Sequence, residues 1–170
     1  MGWGKLVIVI SQIIGRHMIE DFGVGLNRIR LIHRSVNLEK FKFKSPQERN
    51  KIEFIVAIIG RLTPIKGHTF FIQAMSKVAR VIPHIKVWIV GDISPGKEDY
   101  KQDLEVLVRR YGLSHCTEFL GRRRDIPELL SLINVVVLAT TTQEAFGRVI
   151  IEAQAAGVPV VATSVGGVVD

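Results

Sequence analysis

Two carboxylates with seven residues between them, Glu144 and Glu152, stand around Phe146-Gly147 in the segment TTQEAFGRVIIEAQAAGVPVVATSVGGVVD, residues 141–170. An apolar run at 134–139 reads as a strand, 146–157 as a helix and 158–163 as the next strand. That order places Glu144 in a loop at the carboxyl end of a strand, the ligand side of an open α/β sheet. The amides of Phe146, Gly147 and Arg148 then form a helix N-terminus suited to a phosphate. Glu152 falls ~100° from the core stripe of Val149, Ile150, Ala153 and Gly157, so it looks along the same ledge towards a polyhydroxylated ligand. A structural reading competes on spacing alone. Arg148 and Glu152 are an i, i+4 pair worth at most ~0.3 kcal/mol at a surface, and an acidic residue near a helix start complements the dipole. Spacing leaves both readings open.

A second constellation lies upstream. The continuous apolar run 54–59 is expected of a buried parallel strand. It ends in Gly60-Arg61-Leu62-Thr63-Pro64-Ile65-Lys66-Gly67, followed by a helix over 69–81. A bound phosphate would need its charge neutralised by a metal or by cationic side chains. No Asp-x-Asp metal motif occurs, and Asp103-Leu104-Glu105 sits inside a predicted helix. Taken alone, Arg61 and Lys66 read either as two solvated loop cations or as a pair that would do a metal's work with charge-assisted bonds to phosphate. The loop is no Walker A element, since no Gly-Lys-Ser/Thr closes it, and no Gly-x-Gly-x-x-Gly follows a strand, which argues against an ATPase or an NAD dehydrogenase.

The elements that must position these residues alternate along the chain. Strands are expected at 5–10, 30–32, 54–59, 85–90, 117–120, 135–138 and 158–162, with helices at 12–22, 69–81, 97–111, 126–132 and 146–156. Such alternation predicts βαβ crossovers and a parallel sheet covered on both faces. The polar, basic stretch 40–51, with Pro46 inside it, is the one candidate linker.

The 170 residues, 47% of them hydrophobic, suffice for one full core. The longest apolar stretch, 6–10, is far short of the ~20 residues that cross a bilayer, and it lacks a secretory cleavage pattern. One cysteine, Cys116, excludes an internal disulfide, fits a reducing cytoplasm and reads as core filler. Of the formal charge of +7, residues 1–51 hold +6, from ten basic and four acidic side chains. No interleaved aromatics or RNA-binding signature accompany that charge, so nucleic acid is not expected as a partner. Of Arg122-Arg123-Arg124, at least one must be solvent-facing or paired with Asp125 or Glu128. The histidines show no metal-ligand spacing, and His68 reads as a capping or surface residue.

The stretch EAFGRVIIEAQAAGVPVVATSVGG resembles the retaining, nucleotide-sugar-dependent glycosyltransferases of family 4 (group 1), of GT-B fold. The resemblance runs from Val9-Ile10-Ser11 to Asp170. It implies a Rossmann-like doubly wound parallel sheet, with residues 1–11 the last strand of an otherwise absent acceptor domain and 12–170 the donor domain, truncated at its carboxyl end. It further implies a catalytic set of Glu144, Arg61 and Lys66, with Glu144 at the donor sugar. Gly60, Arg61, Lys66 and the amides of Phe146, Gly147 and Arg148 would hold the diphosphate, Glu152 the ribose, and the stretch with Arg122 and Arg123 the base. The implied reaction is metal-independent transfer from a UDP- or GDP-sugar to a glycan or lipid-linked acceptor, with no cofactor. Lipopolysaccharide or polysaccharide assembly in the cytoplasm, with peripheral contact at the inner membrane face, fits that acceptor class. Without its acceptor domain the chain is expected to be inactive. A nucleotide-sugar 2-epimerase or phosphorylase of the same fold, and a catalytically silent nucleotide-binding fragment, are the alternatives. Two positions depart from the family pattern. Ser35 and Asn37 replace Gly and Asp of an Asn-Gly-Val-Asp turn, where Gly tolerates φ > 0, and Val169-Asp170 stands for Pro-Glu.

Overall fold

The computed structural model describes residues 4–49, 53–93, 96 and 98–170. Its main sheet has five parallel strands in the order β5-β4-β3-β6-β7. These are β3 Phe54–Ile59, β4 Ile85–Val90, β5 Thr117–Gly121, β6 Val135–Leu138 and β7 Val160–Ala162. Helices α2 His68–Val78, α3 Glu98–Arg110, α4 Ile126–Leu132 and α5 Arg148–Ala155 make the crossovers. The chain winds outward from β3 through β4 to β5, then crosses back to β6 and on to β7. This reversal leaves a switch point between β3 and β6, and ligands of open α/β sheets sit outside the strand carboxyl ends there.

Alternate residues of β3 serve two cores, as the strand period of two requires. Val56 and Ile58 pack with Phe71, Ile72 and Met75 of α2 and Leu104 and Val108 of α3. Ile55 and Ala57 pack with Leu129 and Leu130 of α4 and Val149 and Ala153 of α5. A strand covered on both sides is apolar throughout, which is why the run at 54–59 does not alternate. The doubly wound α/β architecture is the one expected.

Strands 54–59, 85–90 and 135–138 and helix 126–132 coincide with their expected limits. Others shift for local reasons. Helix α5 starts at Arg148, because Gly147 enters it in the left-handed region at φ +74°, so Phe146 stays in the loop. Helix α2 starts at His68, immediately after Gly67. Strand β7 starts after Pro159, which has no amide to give the ladder. Lys97, the expected first residue of α3, lies outside the described residues.

The expected strand at 30–32 forms, but elsewhere. β1 Val7–Val9 and β2 Ile29–Leu31 pair in parallel with each other and form a separate two-stranded sheet, with α1 Gln12–Glu20 between them. After β2 the turn at 33–37 needs no left-handed residue, since only glycines have positive φ among the described residues. Asn37 in the aspartate position still accepts the amides of Glu39 and Lys40, at 2.9 and 3.1 Å.

The stretch expected to be a linker is instead strapped to the main domain as far as Arg49; residues 50 and 51 lie outside the described ones. Phe41 packs on the α4/α5 core, and Ser45 and Glu48 form a reciprocal capping box. Arg49 is 5% exposed. One terminal nitrogen donates to the carbonyls of Leu130 (2.6 Å) and Ile133 (3.0 Å), the other to those of Lys44 (2.8 Å) and Ala156 (2.6 Å). Three of these carbonyls end α4 and α5, where a helix leaves its last C=O groups unpaired and partially negative. A composition that reads as solvated contains the cation that joins two helix ends.

Candidate functional site

Two loops meet at the switch point, 60–67 after β3 and 139–147 after β6. Gly67 lets them approach: it adopts φ +71°, and a Cβ there would lie 2.8 Å from the carbonyl carbon of Ala139 and closer still to its oxygen. Thr141 stitches the contact, its amide and hydroxyl donating to the Ile65 carbonyl at 2.9 and 3.3 Å. Pro64–Lys66 form one 3-10 turn that ends at Gly67. From it the Lys66 ammonium pairs with Oε2 of Glu144, which also accepts from the Thr140 hydroxyl at 3.1 Å. The side chains are 23% and 15% exposed. The Glu144 carbonyl accepts from the Gly167 amide at 2.7 Å, fixing its backbone to the 3-10 turn Gly166–Val168. Two residues 78 positions apart thus form one charged unit.

The Lys66 stem passes beside Gly60, where an added Cβ would lie 3.8 Å from its Cδ. Arg61 lines a cleft of about 450 Å³ with Gly60, Asp92, Arg122, Arg123 and Ile126. Arg123 is tied to Asp125 by two bonds, Nε to Oδ1 at 2.8 Å and a second from its terminal nitrogen. That guanidinium holds the Asp125 carboxyl down to about 2. Arg124 turns to another cleft, beside Glu39, Lys40 and Glu128. Two of the three adjacent arginines thus line one cleft and the third lines another, with Arg123 paired to Asp125.

Around the entry of α5, Ile10, Arg34, Glu144, Phe146, Gly147 and Arg148 line a cleft of about 210 Å³. Glu152 does not line it. The carboxylate lies under the Arg148 guanidinium, at 3.2 Å from Nε and 2.6 Å from a terminal nitrogen, with Glu152 12% and Arg148 60% exposed. The i, i+4 pair forms, and its acidic member is buried. On the other side of Glu144, a cleft of about 430 Å³ separates Gln143-Glu144-Ala145 from Ile13, Arg16, His17 and Glu20 of α1. Glu144 therefore borders both clefts. Arg34 and Thr140 join this site without having been foreseen. Thr140 was legible as a hydroxyl four residues before Glu144; nothing in the spacing marks Arg34.

His68 is neither a cap nor a surface residue. It is fully buried, its ring is edge-on to Tyr100 at 6.3 Å, and among the described residues neither ring nitrogen makes a well-formed hydrogen bond, while the Thr63 backbone partly offsets the effect of burial on its protonation. Burial, with the Lys66 charge nearby, pushes its pKa down to about 4. The unfolded chain binds that proton near pH 6.5, so the stability contributed by neutral His68 is complete above 6.5 and lost as pH falls towards 4. Urea titrations at pH 7 and 4.5 should differ on the order of 2–3 kcal/mol through this residue, a difference that His68→Asn removes. Cys116 is buried in the α2/α3 core, as expected of core filler. Among the described residues no group of three His, Cys, Asp or Glu could hold a metal ion, and no helix is long and apolar enough to cross a membrane.

The chain is similar to known proteins in sequence and fold. The family profile described as "Glycosyl transferases group 1" matches residues 39–170. A D-inositol 3-phosphate glycosyltransferase of Mycobacterium sp. (strain KMS) is 28% identical over 172 residues, covering 95% of this chain and 37% of that protein. The crystal structure of Anabaena Alr3699/HepE in complex with UDP and glucose superposes with a TM-score of 0.86 at 32% identity, over 98% of this chain and 46% of that one. The C-terminal domain of a glycosyl transferase group 1 family protein, LpcC, from Francisella tularensis matches with a TM-score of 0.69 at 28% identity, over 79% of this chain and 73% of that one. The chain thus spans less than half the length of the mycobacterial and Anabaena proteins.

Proposed function

Because the chain belongs to the group 1 glycosyl transferases, we propose that it is the donor-binding part of a retaining, metal-independent enzyme. The enzyme would move a sugar from a UDP- or GDP-sugar to a glycan or lipid-linked acceptor. The observation that carries this reading is the meeting of Lys66 and Glu144 at the switch point, one group for an anion and one for hydroxyls, on opposing loops. The UDP and glucose held by the Anabaena protein support a uridine nucleotide as first choice. In the transfer, the acceptor oxygen bonds to the anomeric carbon and the bond from that carbon to the diphosphate breaks. The acceptor proton leaves on the diphosphate. Lys66 and Arg61 stabilise the charge that develops there, as preorganised cations do at little reorganisation cost.

The five-stranded sheet and its helices form the donor side of the cleft. β1, α1 and β2, in their separate sheet, are assigned to the acceptor side, a larger share than residues 1–11 alone. The setting that suits this acceptor class is lipopolysaccharide or polysaccharide assembly, in the cytoplasm or at the inner membrane face.

Calorimetry with UDP in EDTA tests the phosphate role. Lys66→Ala or Arg61→Ala should each weaken UDP by about 1.5–3 kcal/mol, the scale of a hydrogen bond to a charged group, while uridine changes much less. Binding that requires Mg²⁺ would overturn the metal-free reading.

A further inference from the structure

The Lys66–Glu144 pair carries a consequence for what the site accepts, resting on the phosphate reading above. The ammonium expected to meet a diphosphate is paired with Glu144, through Oε2 alone. The other carboxylate oxygen takes no hydrogen bond among the described residues, while Thr140 steadies the first. The loop does not depend on that charge for its shape. Backbone bonds hold it, from Gly167 to the Glu144 carbonyl and from Thr141 to the Ile65 carbonyl.

An ionised carboxylate only accepts hydrogen bonds. Sugar hydroxyls donate, whereas the terminal phosphate of a nucleoside diphosphate presents acceptor oxygens and an added charge. We infer that Glu144 is a selectivity element: while leaning on Lys66, it favours a nucleotide whose diphosphate ends in a sugar over one whose diphosphate ends free. The same residue then opposes retention of the diphosphate product, because loss of the sugar exposes a phosphate to a like charge held beside its own binding cation. Like-charge juxtaposition in a partly buried site is costly.

The test is calorimetry on the whole chain with UDP and UDP-glucose, in wild type, Glu144→Gln and Glu144→Asp, with Lys66→Met alongside. In Glu144→Gln, UDP should bind about tenfold more tightly, with UDP-glucose unchanged or weaker, so the preference shifts towards UDP. Glu144→Asp keeps the charge and should keep the wild-type preference. Lys66→Met should weaken both ligands. An unchanged preference in Glu144→Gln, with wild type binding both nucleotides and Lys66→Met weakening both, overturns the selectivity role and leaves the phosphate reading standing. A shift in Glu144→Asp equal to that in Glu144→Gln also overturns it, since shape rather than charge would be responsible. Failure of the wild-type chain to bind either nucleotide overturns both readings.

Discussion

Gly67→Ala is expected to weaken nucleotide binding and to cost stability together. An L-residue in the left-handed region costs roughly 1–2 kcal/mol, and forcing a methyl into a packed contact adds about 1–3 kcal/mol. The methyl would fall on the carbonyl group of Ala139, which is backbone and cannot step aside. The two switch-point loops must separate, and Lys66 moves with its turn. Losing its bond to the diphosphate corresponds to about 10–150-fold in affinity. Gly112→Ala is the control: it sits at φ +70° with nothing within 4 Å of the added carbon, so it incurs the conformational cost alone. Melting curves and UDP calorimetry on both variants check this. Equal stability losses would show that the approach of the loops does not depend on the missing side chain.

Arg49→Ala should be strongly destabilising, by about 3 kcal/mol or more, since each buried carbonyl left without its donor costs about 1–3 kcal/mol. It leaves the carbonyls of Leu130, Ile133 and Ala156 without their donor in a site that water cannot easily enter. Arg49→Lys should recover only part, because one ammonium cannot reproduce a planar fork that serves four acceptors. Urea unfolding reads both. A loss below about 1 kcal/mol for alanine would mean that the bonds contribute no more than a surface group.

These two residues also mark where sequence reading reached and where it stopped. The sheet was legible because burial on both faces demands an unbroken apolar strand, and 54–59 is one. The two loops were legible as separate phosphate and carboxylate elements. Their joining was not, since no local pattern states that Lys66 and Glu144 lie in contact across 78 positions. Gly67 read as loop composition, whereas its need arises from Ala139, in the loop after a strand distant along the chain. Arg49 was misjudged for a related reason: the carbonyls that stabilise it belong to helix ends, and backbone acceptors leave no trace in residue identity. His68 was misplaced because α2 begins one residue earlier than its apolar pattern suggests, which turns the ring inward. The separate pairing of β2 has the same character, for a three-residue strand carries too little pattern to name its neighbour.

The bonds of Arg49 to Leu130, Ile133 and Ala156 span 81, 84 and 107 positions along the chain. Contacts so remote cannot repay the entropy of closing their loops until both α4 and α5 have docked on the sheet. They belong to the closing stage of folding. Loss of the guanidinium therefore falls on the rate at which the native state opens, and hardly on the rate at which it forms. In kinetic terms the strap is a latch: it is set last, and its loss shortens the lifetime of the native state more than it slows its formation.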